Sequence, residues 1–362
     1  MGDQQQLILA TGGYDHTIKV WQAHTGNCIK TMRFVETSQV NALDRTPDKT
    51  RLAACGYQCI RLYDLESNCT APVINFDGVQ KNVTRLGFQE DGNWMFTAGE
   101  DHHVRIWDMI AAPPHCSRIF DCEAPVNAAC LHPNQVEIAM GSQNGSVFLW
   151  DVKSERHERI VPEVDASIQD VAISPDGRYL AAANNKGNCY IWSLTSQDQK
   201  MSTLRPNRKI PAHSRYILRC KFSPDSRLLL TTSGDGTVCI WKTDDFSKWR
   251  ELCIENYWVW DAAFSADSKW LFTASSDGIA RLWKLQTKSS IRDYTGHTKA
   301  ITALSFKDEI PVKSTNISDV QSSAKPPTQR DNPPGTNNLA FFETVGRVAM
   351  NPYMGNTTTE LN

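Results

Sequence analysis

The feature that most constrains this chain is a nine-residue motif, Ser233 to Trp241 (Ser-Gly-Asp-Gly-Thr-Val-Cys-Ile-Trp), of which it carries seven versions. Asp235-Gly236 reads as a two-residue turn suited to the positive backbone angles of a type I′ reversal, and Thr237 to Trp241 is a β-rich run ending in a large aromatic. The relatives are Gly13 to Trp21, Gly56 to Tyr63, Gly99 to Trp107, Ser142 to Trp150, Asn184 to Trp192 and Ser275 to Trp283, with closing aromatics 42–49 residues apart. One hairpin cannot bury a core, so the copies must pack on one another. This period, with short strands and a closing aromatic, is that of a four-stranded blade, and seven copies predict an all-β, seven-bladed β-propeller.

The inner strand of each blade is predicted at Val40–Leu43, Val83–Phe88, Val126–Leu131, Ile168–Ile173, Ile217–Phe222, Val259–Phe264 and Ile301–Phe306, and turns rich in Pro, Asp and Asn follow them. The first blade is one strand short. Leu7 to Thr11, Thr17 to Trp21 and Cys28 to Phe34 give three, and Ala300 to Phe306 has no hairpin after it, so 7–34 and 300–306 are predicted to build the closing blade of a propeller domain spanning 1–307. The polar, partly basic stretch Thr195 to Lys209 produces the longest spacing and reads as a surface loop, with a partner contact as the sharper alternative. Residues 308–362 hold six of the 17 prolines and no copy of the motif, which predicts a disordered tail; within it Leu339 to Met350 is the one apolar stretch, a candidate docking segment or short helix.

Composition narrows the function. A net charge of −2 from 38 basic and 40 acidic residues gives no basic field for nucleic acid. Eleven cysteines with no Cys-x-x-Cys pair read as reduced thiols, which with the polar N-terminus and the lack of any 18-residue apolar run predicts a soluble, cytoplasmic protein that does not insert in a membrane. Phosphate loops, dinucleotide-binding glycine patterns, kinase loops and metalloprotease motifs are all missing, so neither catalysis nor a cofactor or metal is expected.

Comparing the blades singles out a binding rim. Each inner strand begins x-Val/Ile-x, and alternation turns the neighbours of the Val or Ile toward the channel. Five blades offer small or polar groups there, including Gln39 and Asn41, whereas two adjacent blades offer Tyr216 and Leu218, then Trp258 and Trp260. Large aromatics grouped on a rim are costly to leave solvated and often carry binding energy; the competing reading folds both Trp back as core.

The closing words Trp107-Asp108, Trp150-Asp151 and Tyr63-Asp64 make the chain similar to the WD-repeat family. In that family a His, a hydroxyl residue, the turn Asp and the Trp form a hydrogen-bonded set within a blade, and the matching positions here are His213, Ser233, Asp235 and Trp241. The resemblance therefore implies a structural role for this Ser/His/Asp trio rather than a hydrolase site. His297, Asp15 and Trp21 match a reduced version in which Gly13 replaces the hydroxyl, and elsewhere the set decays.

A narrower resemblance rests on words such as Gly13-Tyr14-Asp15-His16-Thr17, Ser38-Gln39-Val40-Asn41-Ala42-Leu43, Leu131-His132-Pro133-Asn134-Gln135 and Ile210-Pro211-Ala212-His213, several of them in loops that blade packing does not dictate. From about Leu7 to Phe306 the chain resembles the lethal-with-Sec-thirteen-eight (G-beta-like) family, subunits of the target-of-rapamycin kinase complexes. This implies a non-enzymatic scaffold bound to and stabilising the kinase domain in both complexes, supporting growth and nutrient signalling, with Gln39, Asn41, Trp258 and Trp260 at the contact. A G-protein β subunit is disfavoured because only six residues precede Leu7, too few for its N-terminal helix. A ubiquitin-ligase substrate receptor using the same ring remains the rival class.

Overall fold

The computed structural model describes residues 7–195, 201–254, 256–287 and 289–308. The tail from 309 onward, with Leu339 to Met350, lies outside the described residues, as do 196–200 within the insertion. The described chain folds into seven four-stranded antiparallel sheets. Six are consecutive in sequence, blades two to seven at 42–76, 83–121, 126–160, 168–211, 217–253 and 259–295. Blade one is composite: Ile301–Phe306 is its inner strand and pairs with Ile8–Gly13, Leu9 opposite Phe306 and Thr11 opposite Leu304.

The core lies between blades. Trp241 of blade six packs with Ala181, Cys189 and Ile191 of blade five, Trp283 with Leu230 and Ile240 of blade six, and Trp21 with Phe272 and Ala274 of blade seven. Every closing aromatic sits against the blade before it, which is why the motif repeats: each seam needs one large ring, worth about 3–5 kcal/mol on truncation.

Three local expectations give way. The turn at Asp235-Gly236 is a three-residue loop: Gly236 N–H bonds the Ser233 carbonyl and only Gly236 is left-handed (φ 83°), whereas a type I′ turn needs both central residues there. The second inner strand begins at Ala42, not Val40, and runs to Arg45. The insertion is no free loop. Asn188–Thr195 pairs along its length with the outer strand Thr203–Pro211, because Leu194 and Leu204 are both buried in the seam with blade four and Ser202 is held by buried Glu137.

Pairing of the inner strands shifts register at their second residue in blades three to seven, at Thr84, Asn127, Gln169, Leu218 and Trp260. A bulge leaves that residue outside the ladder and re-aims it. Strict alternation would turn the third residue away from the channel, yet second and third residues both line it, as Thr84 with Arg85 and Leu218 with Arg219.

Candidate partner-binding site at the channel mouth

The third residues, joined by Lys221, form an ionic girdle across the channel. Arg85 Nη2 lies 3.0 Å from Asp170, Arg219 Nε 3.4 Å from Asp261, and Lys221 Nζ 2.8 Å from Asp261. Both carboxylates also accept backbone bonds from the following blade, Asp170 from Cys220 N–H (2.8 Å) and Asp261 from Leu304 N–H (2.9 Å). Burial pushes the Asp170 carboxyl above its usual range although Arg85 opposes it. Sequence reading missed this belt; its signal was charge at third positions where Ala42, Ala128 and Ala303 stand in other blades.

Above the girdle the second residues tie blade to blade. Asn41 donates to the Val83 carbonyl (2.9 Å), Thr84 to that of Val126 (2.8 Å), Asn127 to that of Ile168 (2.8 Å), and Thr302 to that of Val40. The ring of struts then stops, at Gln169, Leu218 and Trp260. Asn41 is thus a structural tie whose carboxamide oxygen remains for a ligand, while Gln39 lines the mouth with its side-chain amide unbonded among the described residues.

Where the struts stop, aromatic rings begin. Tyr216 and Trp258 meet edge to face at 5.2 Å, Trp258 and Trp260 lie 5.4 Å apart, and Trp260 meets Tyr14 of blade one at 6.0 Å. Gly234 permits the approach, since a Cβ there would lie 3.1 Å from the Tyr216 ring. Neither Trp joins the cores between blades; both are half-buried, with Tyr14 (38% exposed) beside Trp260. Leu218 lines the mouth with Trp260. The structure therefore gathers Gln39, Asn41, Leu218 and Trp260 around one opening, with Trp258 and Tyr216 on its lip. Tyr14 escaped sequence reading as a member of the rim because it sits in a connecting loop rather than an inner strand.

His213 sits in a hydrogen-bonded set whose hydroxyl is that of Thr231 rather than Ser233. Its Nδ1 bonds Asp235 (3.1 Å), its Nε2 lies 2.8 Å from Thr231 Oγ1, and Trp241 Nε1–H donates to the same oxygen (3.1 Å). Ser233 instead donates to the Tyr216 carbonyl (3.0 Å) and caps the turn by accepting from Asp235 N–H. Burial disfavours the charged imidazole, but the hydrogen bonds and charges of Asp235 and Cys239 together outweigh it and hold His213 up to about 9. Blade one is not reduced: Thr11 takes the Trp21 indole (2.8 Å) and lies 2.8 Å from His297, which reaches Asp15 at 2.8 Å. Trp107 and Trp283 likewise bond Thr97 and Thr273. A Thr ten residues before the Trp was the legible signal; Ala53, Met140 and Ala182 mark the blades without it.

Two family models match the chain: the WD domain, G-beta repeat, over residues 3–22, 70–108 and 252–284, and the echinoderm microtubule-associated protein second beta-propeller over 93–255. A protein LST8 homolog of Drosophila pseudoobscura pseudoobscura is 92% identical over 311 residues, covering 86% of this chain and 98% of the relative. The target of rapamycin complex subunit LST8 of Bos taurus is 52% identical over 313 residues, 84% of this chain and 96% of the relative. The target of rapamycin complex subunit wat1 of Schizosaccharomyces pombe is 45% identical over 309 residues, 84% and 97%. A seven-bladed ring of WD repeats, with relatives this similar over nearly their whole length, establishes that the chain belongs to the LST8 family.

Proposed function

We propose that this protein is a non-catalytic cytoplasmic subunit of a target-of-rapamycin kinase complex, seated on the kinase domain through the channel mouth and stabilising it. The observation that carries the reading is the aromatic sector Tyr14, Tyr216, Trp258 and Trp260, which lies outside every seam between blades and where the strut ring is interrupted. An apolar kinase segment lying over these rings would bury them, while the Gln39 amide and the Asn41 oxygen bond its backbone across the opening. The names of the relatives support the assignment to such a complex.

The test is affinity purification of the tagged chain beside Trp260→Ala. The parent recovers a very large kinase, and the variant loses about thirty- to a thousand-fold in affinity, as for an interface hot spot, at unchanged Tm. Recovery of a ubiquitin-ligase scaffold instead, or full binding by the variant, would overturn the proposal.

A further inference from the structure

The girdle below the channel mouth holds three cations against two carboxylates, and hydrogen bonds assign one cation to each carboxylate. Asp170 Oδ1 accepts from Arg85 Nε (3.3 Å) and Nη2 (3.0 Å), and its Oδ2 from Cys220 N–H (2.8 Å). Asp261 accepts from Lys221 Nζ (2.8 Å), Ala262 N–H (2.8 Å) and Leu304 N–H (2.9 Å). Arg219 is the cation left over. Its Nε lies 3.4 Å from Asp261 and its Nη1 3.9 Å from Asp170, yet the guanidinium makes no hydrogen bond to any described residue.

The other charges along the channel do not supply what Arg219 lacks. Lys307, in the cavity beyond the girdle, pairs with Asp44 (2.8 Å), and Glu100, at the mouth on blade three, takes Asn82 Nδ2 (3.1 Å) and makes no ion pair with Arg219. Over the whole lining the charges balance, but by contact Glu100 and Arg219 are left apart. Burial separates these two. Glu100 is half-buried at the open rim, where water serves a carboxylate, whereas Arg219 is 7% exposed. A guanidinium carries five N–H donors in a rigid fork, and burying them without acceptors is costly. Arg219 is also placed where a ligand can reach it. With Arg85 it lines both the mouth, about 260 Å³, and the cavity on the other side of the girdle, about 400 Å³.

We propose that the channel binds a small dissolved oxyanion, of the phosphate or carboxylate kind, on the guanidinium of Arg219. Two oxygens of the anion meet the open N–H groups of the fork, and the surplus positive charge of the girdle holds it there. The site lies inside the channel and is complete in the free chain, so its test is independent of the proposed function.

The experiment labels the full chain with 15N-arginine and assigns the Arg219 Nε–H resonance by its loss in Arg219→Lys. Inorganic phosphate, added to a chloride buffer at fixed ionic strength, should shift that signal saturably at millimolar concentration, whereas chloride should not. Sodium acetate is the second probe: a shift with both anions admits carboxylates to the site, and a shift with phosphate alone restricts it to tetrahedral oxyanions. In thermal melts phosphate should raise the Tm of the parent more than that of Arg219→Gln. In chloride alone Arg219→Gln should melt no lower than the parent, because Arg85 and Lys221 still hold both carboxylates. If that variant does not fold, Arg219→Lys, which keeps the charge without the fork, should bind phosphate about tenfold more weakly in the same melts. Equal shifts by chloride and phosphate, or an unaltered response in the folded variants, overturns the proposal. So does an Arg219→Gln protein that melts lower than the parent by the same margin with and without phosphate, which would make Arg219 a structural counter-ion of the two carboxylates.

Discussion

Thr231 Oγ1 joins the Trp241 indole to the His213 imidazole, so one hydroxyl ties the seam aromatic to the loop before the inner strand. The set depends on charge at both ends. His213 is raised to about 9, so its contribution is complete below the ordinary histidine value of about 6.5 and fades as pH rises through 9. For Asp235, burial raises the carboxyl but the His213 and Thr237 bonds outweigh it and hold it below its usual range, so its share is complete above about pH 4 and fades on acidification. The destabilisation caused by His213→Gln should therefore be greatest near pH 5–6 and shrink toward pH 9.5, which thermal melts across that range would show. Thr231→Val should cost about 1–3 kcal/mol by leaving a buried indole N–H unpaired, more than Ser233→Ala, after which the Tyr216 carbonyl still accepts from Gly234 N–H and Asp235 N–H sits at a part-exposed turn; equal costs would return the role to Ser233. The sequence exposed His213, Asp235 and Trp241 because their types are distinctive. The hydroxyl was ambiguous because Thr231 and Ser233 lie on the same face of one strand.

At the scale of strands, six inner strands were legible to the residue from their Val or Ile starts and their Phe, Leu or Ile ends. The bulge at their second position was not, because it changes which face a residue meets without changing the apolar pattern that announces a strand. That single register shift brings Arg85, Asp170, Arg219 and Asp261 together in the channel. The insertion misled for a related reason: its charges are conspicuous, but Leu194, Ser202 and Leu204 decide its course. Glu137, 2% exposed, takes both Ser202 N–H (2.6 Å) and Ser202 Oγ (2.7 Å) as well as Asn134 Nδ2 (2.9 Å). Glu137→Ala should speed amide exchange from Ser202 to Arg205 and cost about 1–3 kcal/mol. Unchanged protection there would mean that Leu204 alone anchors the strand.

The ring closes through pairing of Ile301–Phe306 with Ile8–Gly13. A chain cut before Lys299 should melt lower and aggregate, with the sheet edge of Ile8–Gly13 and the Phe272 face of blade seven uncovered, whereas a chain ending at Asp308 keeps the closing strand, the Lys307 ion pair to Asp44 (2.8 Å) and the Ala266 bond to Asp308 (2.7 Å) and should melt like the parent. Equal melting of the two truncations would show the closing pair to be dispensable. The same pairing sets a schedule for synthesis. At cellular elongation rates roughly fifteen seconds to a minute separate the emergence of the first strand from that of its partner. Throughout that interval Ile8–Gly13 presents an unpaired hydrogen-bonding edge, and Trp21 lacks the blade it will pack against, so the newborn chain is exposed to mispairing until its last strand arrives.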